Sequence, residues 1–440
     1  MKRALKGIFL SLIVWSCTDD DRLMGGIGGD FDNEIEFTYT YGGSKIEEAR
    51  AIVRTQDGGY AIIGSTESQN GDITDKNDES FDYWVLKFNA EDELEWNKTF
   101  GGSANDHGYD IVQTSDQGYV ILGYSQSSDG DVTENFGLSD AWVAKLDSNG
   151  NLLWQKTFGF DGGDTGFIIT PSSDGGFLLT GLLDAFASDG QGKTTLHPGG
   201  NYWMIKISAN GTKEWSKHYG GFFTDTPYGA VQTEDNGFII VGSSDSYETD
   251  IFNNLGTYDF WIIKISSTGD LVWTKNYGGE RIDEARAITA SGDGNYIITG
   301  DSRSEDQFVS NNNGSADLWM IKITPNGDLI WEKSFGGSDF DVARSVIRTS
   351  DNGFLISGST KSVNGDVTEN KGGNDAWIIK TDSEGEMIWQ KSVGGSDFDF
   401  AYDAIQKTDN TIIAVGTTES HDDDINQNKG SSDLLIIKLK

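Results

Sequence analysis

The chain is poor in cysteine, proline and positive charge, and each shortage excludes a class of protein. One cysteine among 440 residues excludes a disulfide framework, so the fold depends on packing. Four prolines and the lack of a Pro-rich or Ser-rich linker favour one large domain over several separate ones. The formal charge of −37 removes the cationic surface that nucleic acid or an anionic membrane would need. The 57 glycines and the 12% aromatic content are typical of a β-protein with many tight turns.

The first apolar run is too short to cross a bilayer. A basic N-terminus precedes an apolar segment over residues 8–15, whereas a spanning helix needs about 20 residues. This pattern predicts an export signal over residues 1–16. Residues 14–17, Val-Trp-Ser-Cys, resemble a bacterial lipobox, which implies that Cys17 becomes the lipidated first residue of the mature protein. The alternative is an ordinary signal peptide with an incidental cysteine.

Residues 17–33 are acidic and Gly-rich, and they predict a tether ahead of the folded domain. Asp19, Asp20 and Asp21 stand just behind Cys17. This arrangement resembles the signal that carries lipoproteins of the Bacteroidota to the outer face of the outer membrane. A solvated spacer is the alternative. We therefore expect a lipid-anchored outer-membrane protein that faces the cell exterior.

One repeat organises the rest of the chain. Six copies are marked by tryptophans twelve residues apart: Trp84/Trp96, Trp142/Trp154, Trp203/Trp215, Trp261/Trp273, Trp319/Trp331 and Trp377/Trp389. In the copy at 336–391, four β-rich runs (343–348, 354–357, 376–380 and 386–390) are separated by turn residues, and they predict strands a, b, c and d of an antiparallel meander. So small a sheet cannot bury two faces alone, which predicts a propeller blade stacked against its own copies.

The seventh copy is divided between the two ends of the sequence. Its strand c has Leu435 at the tryptophan position, and no strand d follows. Residues 34–43 match residues 328–337, with Phe37 in the place of Trp331. We therefore predict that the N-terminal strand completes the last blade. The fold class is all-β, a seven-bladed β-propeller of four-stranded antiparallel blades in a closed ring.

Over residues 34–440 the layout resembles WD-repeat and kelch-type propellers. The repeat itself looks like that of propeller-repeat surface lipoproteins of the Bacteroidota, although it lacks the Gly-His and Trp-Asp pairs of true WD repeats. The resemblance implies a binding platform rather than a reaction. It implies no small-molecule cofactor.

Three recurring positions have structural interpretations. An aspartate marks each a-b turn, and a glycine is expected to close each strand b. A lysine follows the tryptophan or leucine of each strand c by three residues, at Lys87, Lys145, Lys206, Lys264, Lys322, Lys380 and Lys438. We expect these lysines to form ion pairs or hydrogen bonds between blades.

A fourth recurring position is acidic and follows the first glycine of each d-a connection by five residues. Its members are Glu47, Asp106, Asp164, Asp225, Asp283, Asp341 and Asp399. If strand a is innermost, they form a ring near the mouth of the central channel that could bind a cation. The alternative is that each carboxylate caps a turn by accepting backbone N–H bonds.

Insertions are confined to the b-c connections, which share one face of the ring with the d-a connections. Four of them read Asp-(Ile/Val)-x-x-Asn-x-Gly-x-x-Asp. The alternating oxygen ligands resemble calcium loops. The candidate calcium ligands are Asp131, Asn135, Asp366, Asn370, Asp424 and Asn428. The alternative is a plain Asx turn without metal.

The third copy breaks the repeat with a longer b-c loop, and the d-a connection after it is unusually aromatic. The candidate ligand-binding residues there are Phe186, His197, Phe222, Phe223, Asp225 and Tyr228. Aromatics beside carboxylates suit stacking on a sugar or anchoring a protein. The alternative is that Phe222 and Phe223 plug a gap beneath the long loop.

Catalytic constellations are scarce. The four histidines, His107, His197, His218 and His421, show no metal-binding spacing, and there is no P-loop, Rossmann fingerprint or nucleophile elbow. We therefore expect a non-catalytic binding or scaffold protein whose partner is a glycan or a protein subunit of an outer-membrane complex. The alternative is a polysaccharide-active lyase or hydrolase with its site on the same loop face.

Overall fold

The computed structural model describes residues 33–184 and 199–440. In these residues, twenty-eight strands form seven four-stranded antiparallel sheets, which are the blades of a propeller. The predicted fold class is confirmed. The described part of the chain holds no helix that could cross a membrane. Cys17, Phe186, His197, the export signal and nearly all of the tether lie outside the described residues.

The strands are seven or eight residues long. In chain order they are β1 Ile35–Tyr41, β2 Glu47–Arg54, β3 Tyr60–Thr66, β4 Asp82–Phe88, β5 Leu94–Phe100, β6 Asp106–Gln113, β7 Tyr119–Ser125, β8 Asp140–Leu146, β9 Leu152–Phe158, β10 Thr165–Pro171, β11 Phe177–Asp184, β12 Gly200–Ile207, β13 Lys213–Tyr219, β14 Asp225–Gln232, β15 Phe238–Ser244, β16 Asp259–Ile265, β17 Leu271–Tyr277, β18 Asp283–Ala290, β19 Tyr296–Ser302, β20 Asp317–Ile323, β21 Leu329–Phe335, β22 Asp341–Arg348, β23 Phe354–Thr360, β24 Asp375–Thr381, β25 Met387–Val393, β26 Asp399–Gln406, β27 Ile412–Thr418 and β28 Asp433–Leu439.

Blades 1 to 6 are the consecutive sets β2–β5, β6–β9, β10–β13, β14–β17, β18–β21 and β22–β25, and blade 7 has the order β26, β27, β28, β1. The first strand of each blade, its strand a, contacts strand a of both neighbouring blades. These strands therefore surround the central channel. Strand β1 pairs antiparallel with β28, so the predicted closure of the ring by the N-terminal strand is confirmed.

The apolar core lies between the blades. One cluster joins Trp84 and Leu86 of blade 1 to Ile413, Val415 and Leu434 of blade 7, and each of the other clusters likewise joins neighbouring blades. A single blade would leave this surface in water. Its burial between blades is what makes the ring one cooperative unit.

The recurring glycine of strand b lies inside that strand and does not end it. In blade 6, β23 continues to Thr360 beyond Gly358. A Cβ on Gly358 would lie 1.8 Å from the carbonyl oxygen of Val342 in β22. The β22/β23 register shifts at this point, between Ala343 and Ser345, which is a β-bulge. The glycine therefore makes room for a bulge in strand a.

Six of the seven recurring lysines pair within their own blade and not between blades as predicted. Lys264, for example, lies 2.8 Å from Asp235 in the a-b turn of blade 4. The side chain of the lysine in strand c extends past strand b to the aspartate of the a-b turn. Blade 7 differs, because Lys438 pairs with Asp92 of blade 1 at 2.6 Å as well as with Glu36 of its own blade at 3.2 Å. The inter-blade prediction therefore holds for this lysine, at the closure of the ring.

Candidate functional site

The d-a and b-c connections lie together at one end of the blades, which we call the upper face. Exposed large apolar side chains are concentrated there. They include Phe136, Leu138, Phe222, Phe223, Tyr247, Phe252, Phe308, Phe340, Val363 and Phe398. The frame beneath is rigid and repeated, so these connections are where the blades differ and where binding residues are expected.

Phe222 and Phe223 are at the surface of the connection between blades 3 and 4. They are 39% and 43% exposed, and Tyr247 in the next b-c connection is 66% exposed. The rings of Phe223 and Tyr247 lie 5.6 Å apart. Glu248 and Ser246 accept the backbone N–H groups of the two phenylalanines at 2.8 and 2.9 Å. The connection is thus held in place while its aromatic rings face solvent. The long loop beneath which the alternative would place them, residues 185–198, lies outside the described residues.

Asp225 and Tyr228, the other described residues of the predicted site, do not join this aromatic group. Asp225 has no exposed surface and accepts the N–H of Gly221 at 2.7 Å, so it is part of a turn. Tyr228 lies in the central channel, where its ring contacts Arg286. Tyr247 was not among the predicted site residues. The signal in the sequence is an aromatic residue in a b-c connection, where the blades differ.

A cavity of about 620 Å³ lies between blades 2 and 3. Its lining includes Phe136, Phe158, Phe160, Trp203, His218 and Tyr219. This aromatic cavity adjoins the blade in which the repeat is broken. Its size is in the range of sites that hold small ligands.

The seven recurring carboxylates do not form an open ring at the channel mouth. All seven side chains are fully buried, and each accepts an N–H bond from its own d-a connection. Asp341, for example, accepts hydrogen bonds from Gly337 N–H and Ser362 Oγ–H, both at 2.7 Å. These contacts agree with the alternative to a cation-binding ring, namely that each carboxylate caps a turn.

A second set of buried carboxylates was not predicted from the sequence. They begin each strand c and are Asp82, Asp140, Asp259, Asp317, Asp375 and Asp433, with Asn201 in blade 3. The Oδ1 atom of each has no hydrogen-bond partner. One carboxylate oxygen of Asp375 and one of Asp399 lie close to Gly394. A Cβ on that glycine would be 2.7 Å from each of these oxygens. Burial, together with the charge of Asp399, raises the pKa of Asp375 to about 7.

The candidate calcium ligands are engaged in hydrogen bonds within the protein: each asparagine forms an Asx turn, and each aspartate accepts an N–H from a d-a connection. Asp366 accepts the N–H of Gly336 at 3.0 Å. Asn370 accepts the N–H of Gly372 at 3.0 Å and donates to the carbonyl of Thr360 at 2.9 Å. Asp131 with Asn135 and Asp424 with Asn428 repeat these contacts. Within residues 33–184 and 199–440, no group of three or more acidic, histidine or cysteine side chains is placed to hold a metal ion.

A belt of cationic and aromatic side chains encircles the central channel. Its seven members are the bulge residues of the innermost strands: Arg50, Tyr109, Phe167, Tyr228, Arg286, Arg344 and Tyr402. The ring centroids of Tyr109 and Phe167 are 5.3 Å apart, and those of Phe167 and Tyr228 are 6.0 Å apart. Arg50 lies 5.5 Å from the Tyr109 ring and 4.5 Å from the Tyr402 ring. The bulge directs a side chain from each blade to a common level of the channel.

Comparisons with known proteins show the fold alone. No family model matches the chain. Regulatory protein FlaEY of Caulobacter vibrioides is 23% identical over 231 residues, which are 47% of this chain and 22% of that protein. This chain therefore spans less than a quarter of that relative.

Solved structures with a similar fold are distant in sequence. Sqt1 from Chaetomium thermophilum is 10% identical with a TM-score of 0.50, and the match covers 93% of this chain and 99% of that chain. A protein of unknown function from Bacteroides caccae is 9% identical with a TM-score of 0.43, covering 70% and 89%. The WD40 domain of Neurospora crassa Pan2 is 9% identical with a TM-score of 0.47, covering 88% of both. The fold defines the class: a seven-bladed β-propeller.

Proposed function

We propose that the protein is a non-catalytic binding platform, anchored by lipid at Cys17 to the outer membrane, whose upper face holds a protein partner or a glycan. The observation that carries the proposal is the exposed aromatic group of Phe222, Phe223 and Tyr247. Aromatic rings in water are unfavourable for the isolated protein, and such groups commonly anchor a partner.

The support beneath these rings favours binding with little rearrangement. Strand β14, which follows the aromatic connection, belongs to a blade whose core residues Phe238, Ile240 and Trp261 are fully buried. The connection itself is hydrogen-bonded at both phenylalanines. A surface that is already ordered loses less entropy on binding.

Charge narrows the choice of partner. The chain has 70 acidic and 33 basic residues, so a neutral glycan or a basic protein surface suits it better than an anionic one. The pair formed by Phe223 and Tyr247 can stack on a sugar ring or enter a pocket of a protein.

The test compares two triple variants. Phe222→Ala/Phe223→Ala/Tyr247→Ala removes the aromatic group, while Leu153→Ala/Val272→Ala/Ile388→Ala removes other exposed apolar side chains from the outermost strands. Wild type and both variants are applied to a glycan array and used in pull-downs from solubilised outer membranes. Binding to an identified glycan or outer-membrane protein should fall at least tenfold for the aromatic variant and stay unchanged for the control.

Equal binding by wild type and the aromatic variant would refute the placement of the site. If a bound glycan is cleaved by the purified wild-type protein, with release of new reducing or unsaturated ends, the polysaccharide-active enzyme is the better assignment. A glycan that is bound and recovered intact supports the platform.

A further inference from the structure

Arginine is gathered around the channel of this acidic protein. The described residues contain seven arginines, and five of them lie on the innermost strands, namely Arg50, Arg54, Arg286, Arg344 and Arg348. All five come from blades 1, 5 and 6. Guanidinium groups converge there from three blades, in a chain whose formal charge is −37. An enclosed cluster of this kind suits an anion rather than a cation.

Two of the three arginines in the belt have their own carboxylate. The sequence Glu-Ala-Arg recurs in β2 and β18, and it places Arg50 2.6 Å from Glu48 and Arg286 2.8 Å from Glu284. Arg286 also lies 3.5 Å from Asp301. These pairs neutralise charge within the protein.

The third arginine lacks this partner because the sequence changes. Strand β22 reads Val342-Ala343-Arg344, so a valine replaces the glutamate. Among the described residues, Arg344 forms no ion pair, and its guanidinium lies 5.1 Å from the ring of Tyr402. Its other belt neighbour is Arg286, a like charge. Asp301, which already pairs with Arg286, is the nearby carboxylate that acts on Arg344. A largely enclosed cation that has no ion pair of its own is unfavourable unless a ligand supplies one.

The buried donors agree with a missing anion. The Nε atoms of Arg50 and Arg344 are buried and have no hydrogen-bond acceptor, and Nε of Arg286 lies 3.5 Å from Asp301 without a hydrogen bond. Burial and the charges of Arg286 and Arg50 lower the pKa of Arg344, although Tyr402 and Asp301 act in the opposite direction. Buried donors of this type are normally satisfied.

A cavity of about 600 Å³ opens at the lower end of the same side of the channel, opposite the upper face. Its lining includes Arg54, Arg348 and Gln406. These residues stand four positions beyond Arg50, Arg344 and Tyr402 on the same three strands. The cavity is large enough for a small organic molecule, and its walls add two exposed arginines to those of the belt.

We propose that the channel binds a small-molecule oxyanion, a carboxylate or a phosphate, with Arg344 as its principal ligand. Arg50 and Arg286 supply further donors, and Tyr402 packs against the bound group. The planar guanidinium matches either oxyanion through two parallel hydrogen bonds. This site is separate from the aromatic group of the upper face and goes beyond the proposed partner binding.

The test is calorimetric titration of the purified protein with inorganic phosphate and, separately, with succinate. Wild type is expected to bind one of the two saturably at a stoichiometry of one. Arg344→Gln removes the principal ligand. Val342→Glu instead supplies the carboxylate that blades 1 and 5 already carry, so the fold accommodates it. Both variants should weaken binding at least tenfold, and whichever anion binds identifies the chemistry of the ligand.

Arg281→Gln is the matched control, because Arg281 is an exposed arginine of the upper face outside the belt. It should bind as wild type does. Circular dichroism and thermal unfolding confirm that each variant is folded. Absence of saturable binding to both anions by wild type overturns the proposal. Unchanged affinity in either Arg344→Gln or Val342→Glu overturns it too.

Discussion

Phe37 in the first strand lies opposite Lys438 in the last, as Trp331 lies opposite Lys322 in blade 5. The two ends of the sequence therefore build one blade with the same register as an uninterrupted one. Tyr41 continues the contact into the next blade, with its ring 5.5 Å from that of Phe88. The ring is thus closed by β-sheet hydrogen bonds and by aromatic packing.

Removal of the closing strand should destabilise the whole ring. Deletion of residues 34–43 exposes apolar surface of blade 7, and each Å² costs about 25 cal/mol. We expect the free energy of unfolding to fall by several kcal/mol in urea denaturation. Ile388→Ala, at an exposed position on a complete outer strand, is the control and should change it little. An undiminished midpoint after the deletion would contradict the closure.

Two glycines should differ in their tolerance of alanine for different physical reasons. Gly358→Ala places a Cβ against a backbone oxygen, so we expect a loss of about 3 kcal/mol or more. Gly175 has a φ of 85° and open space around it, so Gly175→Ala should cost about 1–2 kcal/mol. Denaturant unfolding measures both. Equal losses would mean that the bulge can relax.

Stability should rise as the pH is lowered from 8 towards 5. Burial raises the pKa values of Asp82, Asp259 and Asp375 to about 7, so the folded protein binds protons that the unfolded chain releases above about pH 4. This contribution is complete below the unfolded pKa and is lost as the pH rises through about 7.

Below about pH 4 a second group of carboxylates reverses the trend. Hydrogen bonds from Lys145 and Lys264 lower the pKa values of Asp116 and Asp235 to about 2. Their contribution is present above the unfolded pKa and disappears as the pH falls through about 2. The free energy of unfolding, measured by denaturation across the pH range, should therefore pass through a maximum near pH 4–5.

Asp375→Asn isolates one of the raised groups, because blade 3 already carries Asn201 at this place. The variant should be more stable than wild type at pH 8, by about 1–3 kcal/mol, and nearly unchanged at pH 4. Asp382→Asn, in an exposed c-d turn, is the control. Equal stability of Asp375→Asn and wild type at pH 8 would show that the charge of Asp375 does not destabilise the folded protein.

The lysine and aspartate of one blade should respond unequally to substitution. Lys380 is buried and lies 3.0 Å from Asp351, which is exposed. Asp351→Asn keeps the turn but leaves the buried ammonium without its counter-charge, so we expect a loss of about 1–3 kcal/mol. Lys380→Met should change the free energy of unfolding by less than about 1 kcal/mol, because the freed carboxylate is hydrated. The reverse order in denaturant unfolding would contradict this account.

Anchorage is tested at Cys17. If this residue is lipidated, Cys17→Ala should move the protein from the membrane fraction to a soluble one and abolish labelling by a fatty-acid probe. Ser16→Ala keeps the cysteine and should retain both. A wild-type protein that carries no label, and a Cys17→Ala variant that fractionates with membranes, would refute the anchor.

The fold could be predicted because its signals lie within single copies of the repeat. Paired tryptophans, turn residues and the match between Phe37 and Trp331 identify the blades and their closure. Gly358 was expected to end a strand. Its true role could not be predicted, because a sequence does not show that a carbonyl oxygen of the neighbouring strand occupies the space of a Cβ. The seven recurring carboxylates were ambiguous for the same reason: exposure at a channel mouth and burial in a turn require the same residue type at the same spacing.

The candidate sites were only partly predictable. Phe222 and Phe223 are aromatic where other copies are polar, so the broken repeat drew attention to them. Tyr247 belongs to a different connection, and its contact with Phe223 depends on how two blades pack. Asp225 and Tyr228 stand close to these residues in sequence, yet Asp225 lies in a turn, whereas the bulge in β14 directs Tyr228 into the channel.

The sequence by itself determined the number of blades, their strand order and the closure of the ring, because backbone hydrogen bonding and turn chemistry act among neighbouring residues. The tertiary structure decided which charged groups are paired. Val342 and Glu284 differ visibly in the sequence, but the consequence for Arg344 follows only when arginines of three blades meet at one level of the channel. Burial and the distance between charges arise from the packed ring, and both set the cost of an unpaired cation.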